Sequence, residues 1–417
     1  MKRQNNMDSS RVFVSIQLGS EVLPVGILWY HRKSGRESAS FAYDASWLRH
    51  PDSFAIDPAL NLTEGTFHTF EQHKIFGAIG DSAPDRWGRV LMKRAESTRA
   101  KSCGESPRLL GEIDYLLGVD DVARQGALRF SLHEHGPYLA SKEVHPIPPL
   151  IQLPLLLDAT IRYLEETETM EDLKLLLAPG ASLGGARPKA SVLDVDGHLA
   201  LAKFGKKDDE YSAVLWEAVA LTLAEKAGIH TTAWRLVTIT DTPVLLVRRF
   251  DREKHQRIPF LSAMSMLGAS DNEEHCYLEI AYALEQYGAK PERDLEQLWR
   301  RIVFTVLISN TDDHLKNHGF LYDTTAHGWY LSPAYDMHPV PGSATSRILS
   351  TAITFDDPVA SLDAALRVAK EFRLNHEKAT HIIGEVSTMI SHWDTVARQL
   401  GIAKSEIESM ASAFNIW

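Results

Sequence analysis

Residues 302–336 read IVFTVLISNTDDHLKNHGFLYDTTAHGWYLSPAYD, and the other sequence features are interpreted around this stretch. An apolar run with helical spacing leads directly into a polar group, and a short hairpin pattern follows before Asp336. The polar group consists of Asn310, Asp312, Asp313, His314, Lys316 and Asn317. Several carboxylates beside an apolar helix cost free energy unless a ligand or a cation compensates them. The stretch therefore predicts a binding or catalytic site.

Size and composition predict a globular protein of two or three domains. The chain has 417 residues, 44% of them apolar and 24% charged, which is an ordinary globular balance. The formal charge of −11, from 55 acids and 44 bases, argues against a broad nucleic-acid surface, while a local basic patch stays open.

Cysteine use and apolar runs indicate the compartment. Cys103 and Cys276 form no CxxC pair, so we expect no structural zinc, and two isolated cysteines suit a reducing compartment. No segment reaches about 18 uninterrupted apolar residues, and the N-terminus lacks a signal-peptide pattern. We expect a cytoplasmic protein without membrane contact.

The order of elements predicts an α+β fold. β-strand patterns occupy residues 11–45, and the Pro-rich residues 145–154 are the best linker candidate. Next come two strands joined by Asp196-Gly197, a helix over 210–227 and two more strands, and after 262 the chain is almost entirely helical. Strand–strand–helix–strand–strand before helices is the plan of a two-lobed protein-kinase-like fold. We predict a β-rich N-lobe with an extra N-terminal β subdomain and an all-helical C-lobe, bounded as 1–150, 151–252 and 253–417.

The spacing of polar residues in the opening stretch matches a phosphoryl-transfer site. In protein kinases a base Asp and a metal-binding Asn lie five residues apart, and a second metal-binding Asp follows a short hairpin. Asp312 and Asn317 have that spacing, and Asp336 lies nineteen residues after Asn317. Hard oxygen ligands suit Mg²⁺. Asp313 competes with Asp312 for the role of base, because spacing alone does not distinguish adjacent acids.

Other residues of the stretch have two interpretations each. Lys316 fits a cation that neutralises the transferring phosphate, and equally a surface lysine. His314 is more typical of a hydrogen-bonded supporting residue than of a metal ligand. A solvated helix end, with Asp312 and Asp313 as caps, is the non-functional alternative for the cluster.

Lys203 and Glu217 are candidates for an ion pair beside a nucleotide. Lys203 ends the apolar strand HLALAKF, and Glu217 is an acid within the apolar helix AVLWEAVAL. A lysine that points from such a strand into a protein interior needs an anionic partner. The alternatives are an edge lysine that reaches water and an acid on the polar face of its helix.

A Gly-rich loop and a strand end complete the candidate set. The loop SLGGARPK spans Ser182 to Lys189 and matches neither Walker A nor GxGxxG, although Gly184 and Gly185 would allow backbone N–H groups near phosphates. Phe250 and Asp251 follow the strand VLLVRRF, where a hinge would offer backbone groups to adenine and an acid to ribose. A charged strand end is the alternative.

Taken in this order, the Gly-rich loop, the strand lysine, RRFD and TDDHLKN…YD resemble the HipA family of bacterial serine/threonine kinases. FGAIGDSAPDRWGR and DYLLGVDDVARQGALRF also resemble the N-terminal domain of that family, so the resemblance extends over nearly the whole chain. It implies a toxin of a toxin–antitoxin system that transfers the ATP γ-phosphate to a protein hydroxyl, uses Mg²⁺ and slows growth.

The resemblance implies a role for each matching residue. Asp312 would be the catalytic base, Asn317 and Asp336 would hold Mg²⁺, and Lys203 would contact the ATP phosphates. The remaining nucleotide-binding positions would be Ser182, Gly184, Gly185, Ala186, Lys189, Arg248, Arg249, Phe250, Asp251, His314 and Lys316. The backbone of Arg248 to Phe250 would bind adenine. Autophosphorylation of Ser182 would switch the kinase off by adding charge beside the phosphates.

The resemblance also implies partners. The family partner is a small helix-turn-helix antitoxin, through which DNA is bound indirectly, and the best-known substrate is an aminoacyl-tRNA synthetase of the glutamyl type. The loop here reads GARPK, with Arg187 and Pro188, where the better-known member of the family has GAQEK. The alternative function is a weakly active or inactive pseudokinase that acts as a co-repressor with the helix-turn-helix partner.

Overall fold

The computed structural model describes residues 8–414 except 34, 71–72, 135, 139–146, 178–184, 186, 254–255, 272 and 343–346. These residues form an α+β protein, as the sequence predicts. Within them, strands β1 to β16 are, in chain order, Asp8–Leu18, Glu21–Lys33, Arg36–Tyr43, Phe67–His68, Leu128–Ser131, Lys189–Leu193, Leu199–Phe204, Trp234–Ile239, Thr242–Arg248, Arg252–Glu253, Gln256–Arg257, Phe260–Ser262, His275–Cys276, Gly319–Asp323, Gly328–Leu331 and Thr351–Ala352.

Helices α1 to α14 are, in chain order, Ala45–Leu48, Gly77–Gly80, Arg86–Cys103, Glu112–Leu117, Leu153–Leu164, Met170–Leu177, Ala213–Lys226, Ala263–Met266, Tyr277–Tyr287, Pro291–Leu307, Leu362–Val368, His376–Ile390, Trp393–Gln399 and Lys404–Phe414. Short 3₁₀ helices cover Leu150–Gln152, Leu315–Asn317 and Ala369–Phe372. Among the described helices, none combines the length and the apolar character needed to cross a membrane.

The chain divides into two compact units. Unit 1 consists of Met1–Ala202, Asp251–Leu261 and Gly268–Ser270, and unit 2 of Lys203–Phe250, Ser262–Leu267 and Asp271–Trp417. The predicted three-domain division is a different partition and stays a prediction, as does the two-lobed arrangement.

Unit 1 contains an antiparallel sheet in the order β4-β3-β2-β1-β5. Along β1, Val12, Val14 and Ile16 are buried, as expected for a strand with one face against a core. The pairing of β1 with β2 shifts between Val14 and Ser15, and this bulge lets Ser15 be buried as well. Trp47 of α1 and Trp87 of α3 belong to the buried apolar residues of this unit.

The predicted linker over residues 145–154 is partly regular structure. Residues 139–146 lie outside the described part of the chain, Leu150–Gln152 form a 3₁₀ turn, and α5 begins at Leu153. Pro154 occupies the first turn of α5, where its missing N–H has no intrahelical partner to lose. The Pro-rich composition therefore marks a helix start within this range rather than an extended connection.

Unit 2 is built around buried helices. Three side chains of α7 and three of α10 are fully buried: Trp216, Val219, Leu223, Leu298, Trp299 and Ile302. Because the apolar side chains of α7 face almost all directions, the helix is a core element rather than a surface helix.

Among its described residues, unit 2 contains two antiparallel hairpins. β8 and β9 pair from Trp234↔Val247 to Ile239↔Thr242, and both connecting residues have positive φ, Thr240 at 44° and Asp241 at 67°, as a two-residue hairpin turn of this hand requires. β14 and β15 pair from Phe320↔Leu331 to Asp323↔Gly328. This second hairpin separates the polar loop after α10 from Asp336.

Candidate active site

The polar loop begins where α10 ends. Ser309 follows the helix with a positive φ of 54° and turns the chain out of the helical path. The N–H of Asn310 donates to the carbonyl of Thr305 at 3.0 Å. The loop then forms a 3₁₀ turn over Leu315–Asn317 and enters β14 at Gly319. The polar residues therefore lie together in one short loop, directly after the apolar helix, and backbone hydrogen bonds hold this loop in place.

Asp312 and Asp313 have opposite environments. Asp313 is 5% exposed, and its carboxylate accepts hydrogen bonds from Tyr277 Oη, from His318 Nε2 at 3.1 Å and from Thr305 Oγ1 at 3.4 Å. Burial raises the pKa of Asp313, but the charge and hydrogen bond of His318 outweigh it, and the pKa lies below its ordinary value. Asp313 therefore fastens the loop to the helices behind it.

Asp312 is exposed, and no described group donates to its carboxylate. Its backbone carbonyl accepts from the N–H of His314 at 3.0 Å and from Asn317 Nδ2 at 3.2 Å. The backbone of Asp312 is thus fixed while its carboxylate stays available to solvent. Between the two adjacent acids, only Asp312 has the accessibility that a base needs.

The side chain of Asn317 has an oxygen atom suited to binding a metal ion. Asn317 is 5% exposed, and its Nδ2 donates to the backbone carbonyl of Asp312. Its buried Oδ1 has no hydrogen-bond partner within the described residues. A buried amide oxygen without a donor costs free energy unless a cation or a ligand approaches it. The amide oxygen of Asn317 and the carboxylate of Asp336 are both hard oxygen ligands of the kind that Mg²⁺ prefers, and their joint role as metal ligands stays a prediction.

Lys203 lies at the centre of a charged cluster in unit 2. Its Nζ is 2.6 Å from Glu217 Oε1 and 2.9 Å from Asp336 Oδ1. The pair with Glu217 is the one suggested by the sequence. Burial alone would lower the pKa of Lys203, but the carboxylates of Asp336 and Glu217 raise it above its ordinary value. Lys203 therefore stays charged and links β7 to α7 and to the segment after β15.

His338 joins this cluster, and the sequence argument missed it. Its Nε2 is 3.4 Å from Glu217 Oε2 and 3.6 Å from Asp336 Oδ1. Burial would lower the pKa of His338, but the negative charge of Glu217 and the hydrogen bond to Asp336 raise it to about 9. Glu217, Asp336 and His338 each offer a ligand atom within 4.8 Å of the others. In the sequence, only its position two residues after Asp336 connects His338 with the candidate site.

The backbone at Asp336 is strained. Its φ is 58°, a left-handed conformation that a non-glycine residue rarely adopts, although Asp tolerates it better than most. Such strain persists where the surrounding structure fixes a residue, and it is frequent at functional sites. The ion pair with Lys203 is one contact that holds Asp336 in this conformation.

His314 and Lys316 lie in the same loop with different exposure. His314 is half-buried, and its Nδ1 is buried with no hydrogen-bond partner within the described residues. Lys316 is exposed, and its Nζ lies 3.2 Å from Asp271 at the surface. The surface interpretation of Lys316 fits this contact better, and the nucleotide-binding role of both residues stays a prediction.

The Gly-rich loop lies mostly outside the described residues. Ser182, Gly184 and Ala186 belong to that part, so their predicted roles stay predictions. Lys189 follows the loop in unit 1, and its buried Nζ is 2.7 Å from Asp85 Oδ2 and 3.1 Å from the carbonyl of Gly185. The ammonium of Lys189 is therefore held by Asp85 within unit 1, and its predicted ATP contact stays a prediction. The interaction was missed because Asp85 is 104 residues away in sequence.

At the predicted hinge, two positions already have internal contacts. The N–H of Arg248 donates to the carbonyl of Ala233 at 2.8 Å, so it is not available to adenine while that bond lasts. Asp251, in unit 1, is 1% exposed, and its carboxylate accepts from the N–H of Gly126 and from Arg252 Nη1, both at 2.7 Å. These contacts favour a structural role for Asp251 over the predicted ribose contact.

The two residues between them are also packed. The side chain of Arg249 is 1% exposed, and the ring of Phe250 lies 5.3 Å from that of Tyr335 in unit 2. Their predicted backbone contacts to adenine stay predictions.

The model of the family described as the HipA-like C-terminal domain matches residues 181–393. This range covers more than half of the chain and includes Lys203, Glu217, Asp312, Asn317 and Asp336. The chain belongs to the HipA family. The resemblance in its sequence motifs is thereby confirmed.

Two relatives of the chain are named "Putative kinase". One, Y4mE of Sinorhizobium fredii, is 24% identical over 383 residues, which cover 87% of this chain and 80% of the relative. The other, from Haemophilus influenzae, is 27% identical over 118 residues, 25% of this chain and 34% of the relative.

A solved structure has the same fold. HipA of the Shewanella oneidensis MR-1 toxin–antitoxin system, in complex with HipB and operator DNA, superposes with a TM-score of 0.66 at 16% identity. The match covers 96% of this chain and 94% of the HipA chain. At this identity the similarity establishes the fold of this HipA-family chain and nothing finer.

Proposed function

We propose that the chain is an ATP-dependent kinase that transfers the γ-phosphoryl group to a serine or threonine hydroxyl of a protein. The observation that supports this most strongly is the cluster of Lys203 with Glu217 and Asp336. Phosphoryl transfer in protein kinases depends on such a lysine–glutamate pair and on a metal-binding aspartate. Membership of the HipA family, with relatives named as kinases, agrees with it.

The proposed reaction assigns the proton to Asp312. The acceptor hydroxyl forms a new P–O bond to the γ-phosphorus, the bond to the bridging oxygen of ADP breaks, and ADP leaves with that electron pair. Asp312 takes the hydroxyl proton, a role that its exposed and unpartnered carboxylate suits. Asp313 does not compete for this role, because its carboxylate is buried and bonded to Tyr277 and His318.

The charged cluster would bind and orient the nucleotide. Lys203 would offer its ammonium to the phosphates, and Glu217 would hold that ammonium in place. Asn317 and Asp336 would hold Mg²⁺, which when bound neutralises charge on the phosphate oxygens. Lys203 lies 2.9 Å from Asp336, so the proposed phosphate-binding and metal-binding residues are neighbours.

We further propose that the kinase is the toxin of a toxin–antitoxin pair. The solved Shewanella oneidensis HipA complex contains HipB and operator DNA, which supports a small helix-turn-helix antitoxin as partner and indirect DNA binding. An aminoacyl-tRNA synthetase as substrate and autophosphorylation at Ser182 belong to the same proposal.

The test is phosphate incorporation by the purified full chain with Mg·ATP. We expect incorporation by wild type, at Ser182, and none by Asp312→Asn. Asp363→Asn, an exposed acid on α11, is the matched control and should behave as wild type. Expression should slow growth for wild type and control, and not for Asp312→Asn.

Two outcomes would contradict the proposal. A wild type that incorporates no phosphate and does not slow growth would exclude the kinase and favour a co-repressor without catalysis. An Asp312→Asn variant as active as wild type would exclude the proposed base.

A further inference from the structure

Helix α14 contacts both halves of the candidate site in unit 2. It spans Lys404–Phe414 and begins after residue 393, where the match to the family model ends. One end of α14 contacts α7, which contains Glu217, and the other contacts the turn before Asp312. α14 contains none of the predicted site residues and lies outside the range matched by the family model.

Glu406 of α14 caps the N-terminus of α7, although the two helices are far apart in sequence. Glu406 Oε1 accepts from the N–H of Ser212 and from Trp216 Nε1, both at 2.8 Å. Ser212 is the N-cap of α7, and its own N–H is one that the helix cannot satisfy. In a capping box, a Glu three residues after the N-cap would accept it, but that position is the apolar Leu215. Glu406, from a helix distant in sequence, therefore supplies the acceptor that α7 itself lacks. Its negative charge lies near the N-terminus of α7, the favourable end of the helix dipole.

The far end of α14 adds an aromatic contact to the same helix. The rings of Phe414 and Trp393 stack at 4.4 Å with an interplanar angle of 3°, and Trp216 lies 6.2 Å from each of them. Trp216 is fully buried, and it directly precedes Glu217. The side chain next to Glu217 is therefore held by Glu406 at its indole N–H and by an aromatic group on its ring.

The same end of α14 fixes the catalytic turn. Ser309 Oγ donates to the carbonyl of Ala413 at 2.6 Å, and Arg347 Nη2 donates to the carbonyl of Ser412 at 2.7 Å. These carbonyls belong to the last turn of α14, which has no intrahelical donor for them. Ser309 is the left-handed residue that starts the loop containing Asp312. The bond from Ser309 therefore ties the C-terminus of α14 to the loop, and the bond from Arg347 ties it to the segment before β16.

We propose that α14 is a clamp that positions α7, so that Glu217 stays paired with Lys203, and that Glu406 is its main positioning residue. The proposal rests on the proposed kinase function. The orientation of the helix that contains the glutamate controls whether the lysine–glutamate pair forms. A small displacement of α7 would leave Lys203 without one of its two carboxylate contacts.

The test compares Glu406→Ala with two controls. Glu406→Gln keeps an acceptor oxygen at the same place, and Glu408→Ala makes the same substitution at an exposed position of the same helix. We expect amide hydrogen exchange over residues 212–217 to be fastest in Glu406→Ala, less affected in Glu406→Gln, which keeps the acceptor but loses the charge, and unchanged in Glu408→Ala. Because a hydrogen bond to a charged group is lost, kcat/KM for autophosphorylation should fall at least about tenfold in Glu406→Ala, less in Glu406→Gln, and not at all in Glu408→Ala.

A double-mutant cycle separates positioning from a general structural defect. If Glu406 acts through Glu217, Glu406→Ala should lower kcat/KM less than about twofold in a Glu217→Ala background. Equal losses in the two backgrounds would overturn the proposal, and so would unchanged exchange over 212–217. Phe414→Leu loosens the other end of the clamp and replaces Glu406→Ala should that variant fail to fold. We expect faster exchange over the same residues, and unchanged exchange would again overturn the proposal.

Failure of the clamp and failure of the kinase function differ in their results. Exchange over 212–217 needs no activity, so it tests the contact of α14 with α7 even in an inactive protein. A wild type without phosphate incorporation would refute the kinase proposal, and with it the role of the clamp in catalysis. A fully active Glu406→Ala variant would refute the clamp alone.

Discussion

Replacing Asp312 or Asp313 by alanine should separate activity from stability. Removal of Asp313 leaves the hydroxyl of Tyr277 and the ring of His318 buried without their acceptor. Removing one partner of a buried charged pair costs about 3–5 kcal/mol of unfolding free energy. Asp312 is exposed and has no donor within the described residues, so its removal should change the unfolding free energy by less than about 0.5 kcal/mol. Activity should respond in the opposite order, because loss of a general base costs about 10²–10⁴-fold.

Urea unfolding of the two variants and of wild type, followed by tryptophan fluorescence, measures the first effect. Phosphate incorporation under conditions where each variant is folded measures the second. We expect Asp312→Ala to have the same urea midpoint as wild type and to incorporate no phosphate. Asp313→Ala should unfold at a lower urea concentration and keep measurable activity. The reasoning is refuted if Asp313→Ala is as stable as wild type, or if Asp312→Ala loses several kcal/mol.

Three further changes test other contacts. Lys203→Met should weaken ATP binding at least tenfold, since one cation near the phosphates is lost, and isothermal titration with ATP measures this. Asp85→Asn should lower the unfolding free energy by about 3 kcal/mol, because Lys189 stays buried without its carboxylate; urea unfolding measures it. Asn317→Ala should raise the Mg²⁺ concentration needed for half-maximal activity, which a titration of MgCl₂ at fixed ATP measures.

Each of these changes has a control or a contradicting result. Glu112→Gln is the control for Asp85→Asn. It breaks the pair of Glu112 with Arg89 of α3, in which the two side chains lie 2.6 Å apart and are more exposed than Lys189 and Asp85. The control should therefore cost less unfolding free energy than Asp85→Asn. An equal cost would contradict the argument from burial. Unchanged ATP affinity in Lys203→Met, or an unchanged Mg²⁺ requirement in Asn317→Ala, would remove the assigned role of that residue.

Stability at acid pH depends on Asp313. Its pKa in the folded protein is below the ordinary value of 3.8, so the folded state binds fewer protons than the unfolded state in this range. Its contribution to stability is therefore complete above pH 3.8 and is lost as pH falls through the folded pKa. Urea midpoints measured below pH 4 should fall less steeply in Asp313→Asn than in wild type, and parallel curves would contradict this assignment.

The sequence by itself determined the elements and the candidate loop. The strands on either side of residues 239–242 and the hairpin before Asp336 follow from strand periodicity, and α7 follows from its apolar length. The spacing of Asp312, Asn317 and Asp336 is a property of the covalent chain, so it could be matched to a chemical role directly. Family membership followed from the same motifs.

Tertiary structure decided which side chains meet and which are buried. Asp312 and Asp313 are neighbours with the same chemistry, and only the contacts of Tyr277 and His318 assign one to the interior. Lys189 follows a Gly-rich loop as a phosphate ligand would, yet its ammonium is paired with a residue 104 positions earlier. Glu406 acts on a helix 190 residues before it. Burial and ion pairing depend on which elements pack together, and such long-range partners leave no periodicity or local spacing in the sequence by which to predict them.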